Sequence, residues 1–142
     1  LTVEQGATVT ITTTAGVANP IDFRGENSEI ALRGNGQLTV NTIGPATTAV
    51  PTDTSNNAIA LTGLSPKISI SEKSRLSVRS TLSKRGIHLA GANAQVHVAN
   101  SELTVVSATQ TAMNISGEAP LFSAENSTVQ LTSTTGQRIN LS

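Results

Sequence analysis

The chain has 142 residues, with nine basic and nine acidic side chains and a formal net charge of zero. This balance argues against bulk nucleic acid or an anionic membrane as the main partner, because both are bound through excess positive charge. Cysteine is absent, which excludes a disulfide framework, a thiol nucleophile and a cysteine-based metal site. No apolar run is long enough to span a bilayer, so we expect no membrane insertion.

In chain order, the sequence repeats a unit of three short segments, which we name a, b and c. Each segment carries two apolar residues with one residue between them, an alternation typical of a strand with one buried face. The segment-a pairs are Ile21 and Phe23, Ile59 and Leu61, Ile87 and Leu89, Met113 and Ile115, and Ile139 and Leu141. The segment-b pairs are Leu1 and Val3, Ile30 and Leu32, Ile68 and Ile70, Val96 and Val98, and Phe122 and Ala124. The segment-c pairs are Val9 and Ile11, Leu38 and Val40, Leu76 and Val78, Leu103 and Val105, and Val129 and Leu131.

The repeat has a period of about 26 residues, because positions 86–111 align with positions 112–137 without a gap. Every apolar slot of the template holds Val, Ile, Leu, Met or Phe, with Ala124 as the one exception. Three strands per turn, repeated in line, predict an all-β fold: a right-handed parallel β-helix, or β-solenoid, of about five turns. Stacked strands lie about 4.8 Å apart, so the rod core should be about 20–25 Å long.

The predicted corners between segments carry residues that tolerate a positive φ. Glycine follows segment a at one offset in four copies: Gly25, Gly63, Gly91 and Gly117. The turn between segments b and c carries Asn35, Lys73, Asn100 and Asn126. We expect the asparagines of this turn to adopt the left-handed conformation and to hydrogen-bond to one another along the rod.

The connection from segment c to segment a varies in length and is longest over residues 41–58, which we predict to be an inserted surface loop. We interpret residues 1–142 as a single solenoid segment, because one template covers the whole chain. The sequence starts in segment b and stops in segment a, with no amphipathic cap. Bare solenoid ends expose strand edges, so we expect the segment to belong to a longer surface protein, with neighbouring turns or domains covering both ends.

This pattern resembles the right-handed parallel β-helix of pectate lyases, and in particular the pectate-lyase-like adhesive domains of bacterial cell-surface proteins. The resemblance rests on the Ile-x-Leu-x-Gly starts at positions 59–63 and 87–91, the asparagines of the b-to-c turn and the exterior rich in Ser, Thr and Asn. It implies a secreted, extracellular protein of the bacterial cell wall that binds carbohydrate.

The resemblance does not carry over catalytic residues. Lytic members of that superfamily use aspartate clusters that bind calcium and a basic residue that abstracts a proton, on the outward face of segment a and its loops. That face holds a single carboxylate here, Asp22, whereas calcium needs several oxygen ligands and a hydrolase of the inverting kind needs paired carboxylates. We therefore expect no enzyme activity, no metal site and no cofactor.

A basic patch is the first candidate binding site. Between positions 67 and 85 it contains Lys67, Lys73, Arg75, Arg79, Lys84 and Arg85, against one acidic residue, Glu72. The template places Arg75 and Arg79 outward on segment c. We interpret the basic patch as a site for an acidic polysaccharide, such as a uronic acid polymer, or for a teichoic acid. The alternative is a solvated face that discourages edge aggregation.

A second candidate is a polar groove floor for a sugar chain, formed by Asp22 and Arg24 with Asp53 from the long loop. The alternative is an ordinary surface ion pair. His88 and His97 point outward on different sheets, so they should not share a metal ion. Trp and Tyr are absent, and both phenylalanines occupy inward slots, so any sugar binding must use hydrogen bonds and charge in weak, multivalent contacts.

The leading hypothesis is a non-catalytic, extracellular segment of a bacterial surface protein that acts as a stalk and adhesin and contacts host or environmental glycans. One alternative is a fragment of a polysaccharide lyase or hydrolase whose active residues lie in other turns. Another is a segment of an autotransporter passenger or of a phage fibre. Ice binding needs a regular outward array of threonines, and charged residues break that array on segment c.

Overall fold

The computed structural model describes residues 1–14, 19–43, 57–81, 85–108 and 110–142. Over these ranges the chain forms strands and no helix, which confirms the all-β class. The strands form three parallel sheets of five, one for each repeat segment, and we name them sheets a, b and c.

Sheet a consists of β3 (Ile21–Arg24), β6 (Asn57–Thr62), β9 (Arg85–Ala90), β12 (Met113–Ser116) and β15 (Ile139–Leu141). Sheet b consists of β1 (Thr2–Val3), β4 (Glu29–Leu32), β7 (Lys67–Ile70), β10 (Gln95–Ala99) and β13 (Leu121–Glu125). Sheet c consists of β2 (Thr8–Thr13), β5 (Gln37–Thr42), β8 (Arg75–Ser80), β11 (Glu102–Ser107) and β14 (Thr128–Ser133).

The strand register confirms that equivalent residues of the repeat stack on one another. The first apolar slot of segment a forms one continuous column of paired residues: Ile21, Ile59, Ile87, Met113 and Ile139. The molecule is thus a parallel β-solenoid of about four turns. It is slightly shorter than the expected five turns, because the five strands of a sheet enclose four intervals.

The core lies inside the three sheets and is filled by the apolar slots of the template. In the interior strands these side chains are fully buried, as for Leu38, Ile68, Leu76, Ile87 and Leu103, each 0% exposed. Burial weakens towards the outermost strands, where Leu1 is 41% exposed and Leu141 is 50% exposed. Each turn is therefore covered by its neighbours along the axis and by nothing else in the described chain.

The corner between sheets b and c has the conformation expected from the sequence. Its residues adopt positive φ in every described copy: Gly6 (73°), Asn35 (63°), Lys73 (62°), Asn100 (49°) and Asn126 (47°). Backbone bonds join consecutive corners, with Asn35 N donating to Glu72 O and Lys73 N donating to Asn100 O, both at 2.9 Å. The expected side-chain bonds between these asparagines are not formed in the described part of the chain.

Serine hydroxyls join the b–c corners instead. Ser74 N donates to Ser101 Oγ, and Ser101 N donates to Ser127 Oγ, each at 3.2 Å. The series stops at Gly36, one turn before Ser74, where Gly36 N donates to Arg33 O at 3.1 Å and not to Ser74 Oγ. The buried Ser74 Oγ is therefore left without a hydrogen-bond partner.

The corner between sheets a and b contains a second left-handed column that the sequence pattern did not reveal. It consists of Asn27, Ser65, Asn93 and Ala119, with φ angles of 56°, 54°, 57° and 55°. Backbone bonds again join successive corners, with Asn27 N donating to Leu64 O at 2.7 Å and Ser65 N donating to Ala92 O at 2.9 Å. Asparagine occupies only two of the four positions, so the repeat was hidden at the level of residue identity.

The glycines after segment a are packed backbone to backbone. Gly63, Gly91 and Gly117 have positive φ, and a Cβ on any of them would collide with the carbonyl of the glycine one turn away. Gly25, the first of the series, has no positive φ and has open space at its Cβ position. The prediction of a positive φ was therefore wrong for Gly25, which follows the edge strand β3 and has no earlier strand of sheet a beside it.

A column of inward hydroxyls lies where the strands of sheet c end. Thr42, Ser80 and Ser107 are buried at equivalent positions of β5, β8 and β11. Thr42 Oγ1 donates to Ser80 Oγ at 3.0 Å, so these polar groups satisfy one another inside the rod. The sequence template did not include this third inward slot, which every copy fills with Ser or Thr.

Candidate functional site

The basic patch is spread around the middle of the rod, not gathered on one face. Lys67 begins β7 in sheet b, Lys73 lies at the b–c corner, and Arg75 and Arg79 lie on β8 in sheet c. Arg85 begins β9 in sheet a. Lys84 lies outside the described residues. The structure therefore brings Lys73, Arg75 and Arg79 to one side and separates Lys67 and Arg85 from them.

Two members of the basic patch are near acidic residues on neighbouring turns. Arg75 Nη2 lies 2.8 Å from Glu102 Oε2, and both side chains are well exposed. Lys67 Nζ lies 4.0 Å from Glu29 Oε1. Exposed pairs of this kind contribute about 0–1 kcal/mol to stability. Their main consequence is electrostatic, because each carboxylate compensates most of the positive charge beside it.

Lys73 and Arg79 make no ion pair or side-chain hydrogen bond within the described chain. Arg79 is exposed on sheet c, at the same register position as Asn41 and Val106 on the adjacent strands. Neither neighbour carries a charge that could compensate the guanidinium. Among the members of the patch that the structure describes, Lys73 and Arg79 are therefore the two cations that remain available to an anionic partner.

A groove runs along the corner between sheets b and c, and we call it the b–c groove. It encloses about 400 Å³. Its lining residues are Asn35, Gln37, Lys73, Ser74, Arg75, Asn100, Ser101, Glu102, Asn126 and Thr128. The corner residues form one wall, and the first outward residues of sheet c form the other. Both walls recur once per turn, so the groove follows the axis of the rod.

A smaller groove of the same construction, the a–b groove, follows the other tight corner. It encloses about 210 Å³ and is lined by Asn27, Glu29, Ser65, Lys67, Asn93 and Gln95. Here too a left-handed corner residue faces the first outward residue of the next strand. The two grooves show that the stacked corners themselves create polar channels along the rod.

The second candidate site lies in a cleft of about 380 Å³ on sheet a, which we call the sheet-a cleft. Its lining residues are Asn19, Asp22, Arg24, Asn57, Ala60, Thr62, Arg85 and His88. Arg24 Nη2 donates to Asp22 Oδ2 at 2.8 Å, and Arg24 Nε contacts both carboxylate oxygens. Hydrogen bonding from Arg24 holds the pKa of Asp22 below its usual value. Asp53, the third residue of this candidate, lies outside the described residues.

Amide side chains form a hydrogen-bonded ladder above this cleft. Asn140 Nδ2 donates to Asn114 Oδ1 at 2.7 Å, and Asn114 Nδ2 lies 2.9 Å from His88 Nδ1. An amide nitrogen only donates, so Nδ1 of His88 accepts in this arrangement. Burial lowers the pKa of His88, and the charge of Arg85 lowers it further. Sequence reasoning placed these outward residues correctly but did not foresee that they bond to one another.

The two histidines lie on different sheets, as expected. His97 is on β10 in sheet b, where its Nδ1 lies 2.8 Å from Ser123 Oγ. Among the residues that the structure describes, no three His, Cys, Asp or Glu side chains are grouped closely enough to hold a metal ion. Across the same residues, no helix has the length and apolar character needed to cross a membrane.

The fold defines the chain as a parallel β-solenoid with polar channels on its exterior. No family model matches the chain, and neither the curated proteins nor the solved structures include a match.

Proposed function

We propose that this chain is a non-catalytic segment of an extracellular rod on a bacterial surface, where it acts as a stalk and contacts acidic polysaccharide. The observation that carries the proposal is the pair of uncompensated cations, Lys73 and Arg79, on a repetitive polar exterior. A rod built from identical turns extends a surface away from its point of attachment. Its stacked outward side chains then meet a polymer at several points at once.

The chemistry of the exterior supports weak contact repeated many times. Phe23 and Phe122 are the two aromatic residues of the sequence, and both pack against buried core residues. No exposed aromatic ring is therefore left as a platform for a sugar. Hydroxyl and carboxamide groups remain for hydrogen bonding, and Lys73 and Arg79 remain for charge. Single contacts of this kind are weak, and a polymer that engages several of them gains avidity.

The proposed location, the outside of a bacterial cell wall, is supported by the resemblance to adhesive domains and by composition. A chain without cysteine needs no oxidising compartment to fold and loses nothing in one. Host or environmental glycans are the partners that this location offers.

Retention on immobilised polygalacturonate tests the proposal. We expect the 142-residue chain to be retained at low salt and released as salt is raised, because screening weakens contacts between exposed charges. The double variant Lys73→Glu/Arg79→Glu reverses the two uncompensated cations and should bind about tenfold more weakly. The double variant Arg33→Glu/Arg138→Glu changes the net charge equally and lies outside the patch, so it should bind nearly as well as the parent. Equal losses in both variants, or no retention of the parent chain, would contradict the proposal.

The sheet-a cleft favours a second candidate, a fragment of a polysaccharide lyase. The cleft brings Arg24 and Arg85 together with His88, whose lowered pKa leaves its imidazole neutral at pH 7. To act as a base, Nδ1 of His88 must first release the amide of Asn114, which lies 2.9 Å away. Guanidinium groups beside a neutral base are the chemistry that proton abstraction next to a carboxylate requires. Incubation with polygalacturonate, with and without calcium, decides between the two: an increase in unsaturated uronate absorbance supports the lyase, and retention without product supports the stalk.

A further inference from the structure

We propose that the b–c groove binds one chain of an acidic polysaccharide lengthwise, parallel to the axis of the solenoid. In this arrangement the carboxamides of Asn35, Asn100 and Asn126 bond to sugar hydroxyls, and Lys73 pairs with a carboxylate. The inference rests on the proposed function and adds to it a position, a direction and a set of contacts.

The first argument is the geometry of the groove. Asn35, Lys73, Asn100 and Asn126 occupy the same corner on four successive turns, and the register beside them is unbroken. Turns lie about 4.8 Å apart, so the wall presents a polar group at each step over about 14 Å. Each pyranose unit of an extended polymer advances by a distance similar to the spacing between two turns. A polymer lying along the groove therefore meets one corner residue with each sugar.

The second argument is that the corner carboxamides are available. Asn35, Asn100 and Asn126 are exposed, and none of them makes a side-chain hydrogen bond within the described chain. Each carboxamide offers a carbonyl acceptor and two N–H donors, which suits a ligand rich in hydroxyls. On sheet a the corresponding groups are already engaged, because Asn140 donates to Asn114 at 2.7 Å. The b–c groove thus presents a column of three carboxamides with bonding capacity left, whereas the amide ladder of sheet a has little.

The third argument is charge. The groove is lined by two cations, Lys73 and Arg75, and by one carboxylate, Glu102, which pairs with Arg75 at 2.8 Å. Glu72, next to Lys73 in sequence, accepts a hydrogen bond from Gly34 N at 2.9 Å. The lining therefore carries one net positive charge, placed at Lys73. This charge suits a polymer with carboxylates among neutral hydroxyls better than it suits a neutral glycan.

The a–b groove supplies an internal control, because it shares the construction but not the chemistry. It is about half the volume, and its cation Lys67 lies 4.0 Å from Glu29. Its corner residues have the same left-handed conformation as those of the b–c groove. Glycine adopts that conformation without strain, so corner side chains can be removed from either groove without disturbing the backbone.

The experiment compares two triple variants for binding to fluorescently labelled polygalacturonate. Asn35→Gly/Asn100→Gly/Asn126→Gly strips the b–c groove, and Asn27→Gly/Ser65→Gly/Asn93→Gly strips the a–b groove. We expect the first to bind about tenfold more weakly and the second to bind within about twofold of the parent. Lys73→Asn keeps the corner residue type and should reduce the dependence of binding on salt. Circular dichroism and thermal unfolding establish that each variant is folded.

The outcomes separate this inference from the proposed function. If both triple variants bind like the parent while Arg79→Glu, which lies outside the groove, abolishes binding, the polymer crosses sheet c and the groove assignment is wrong, but the proposed function stands. If the parent binds no polygalacturonate, the proposed function and the groove fall together. Weak binding by the first triple variant alone supports the groove.

Discussion

The interior strands of the solenoid and the outermost strands of its sheets follow one sequence template but differ in burial. Leu76 and Leu103, on the interior strands β8 and β11, are 0% exposed. Leu131 on the outermost strand β14 and Phe122 on the outermost strand β13 fill inward slots, and both are only partly buried. The template therefore sets which way a side chain points, and the neighbouring turns set how much of it leaves water.

This difference teaches that stability in the rod is a property of contacts between turns. A residue on an interior strand has partners above and below, whereas one on an outermost strand has partners on one side. In such repeat architectures the total is approximately a sum of nearest-neighbour contributions. The same substitution should then cost different amounts at different heights in the rod.

The largest contrast is expected for truncation of leucine in sheet c. Leu103→Ala removes a fully buried side chain between Leu76 and Val129 and should lower the free energy of unfolding by about 3 kcal/mol. Leu131→Ala removes the same atoms where part of the side chain already faces water, and it should cost about 1 kcal/mol. Urea denaturation of the two variants and the parent measures both losses. Equal losses would contradict the nearest-neighbour interpretation.

The second contrast concerns the glycines after sheet a. Gly91→Ala places a Cβ against the carbonyl of Gly63 at a φ of 149°, so we expect a loss of about 2 kcal/mol. Gly25→Ala at the outermost strand meets open space and ordinary φ, and its effect should stay within about 0.5 kcal/mol or be stabilising. Thermal unfolding of both variants measures the contrast. A Gly91→Ala variant as stable as the parent would show that the glycine column is not required.

The architecture was predictable from the sequence because it depends on the type of each residue taken alone. Alternation of apolar residues assigns Leu76 and Val78 to the interior without knowledge of any contact, and the repeat length then stacks the turns. The left-handed conformation at Asn100 and Asn126 was predictable for the same reason, since asparagine tolerates it.

The candidate site was only partly predictable, because it depends on pairs of residues. The compensation of Arg75 by Glu102 follows from the register, which aligns the two positions on adjacent strands. That signal was present in the repeat alignment once the turns were superimposed. The free carboxamides and the engaged amide of Asn114 could not be distinguished in the sequence, because both are outward asparagines and only their neighbours differ.

The smallest contrast is in pH dependence and compares β9 in the interior with β3 at the edge of sheet a. His88 on β9 has a lowered pKa, because burial and the charge of Arg85 oppose its protonation. The unfolded chain therefore binds this proton more readily than the folded chain does. The stabilisation that neutral His88 contributes is fully present at pH values above the usual histidine pKa of about 6.5. It is lost as the pH falls through the lowered pKa of the folded chain.

At the edge, Asp22 on β3 has a lowered pKa because Arg24 donates hydrogen bonds to it. The stabilisation that ionised Asp22 contributes is present at pH values above the usual aspartate pKa of about 3.9. It is lost as the pH falls through the lowered pKa of the folded chain. Thermal unfolding followed from neutral to acidic pH should thus show two successive decreases. His88→Asn should remove the first, and Asp22→Asn should remove the second. If His88→Asn leaves the decrease below about pH 6.5 unchanged, the buried imidazole is not its origin, and another group in the rod must take up the proton.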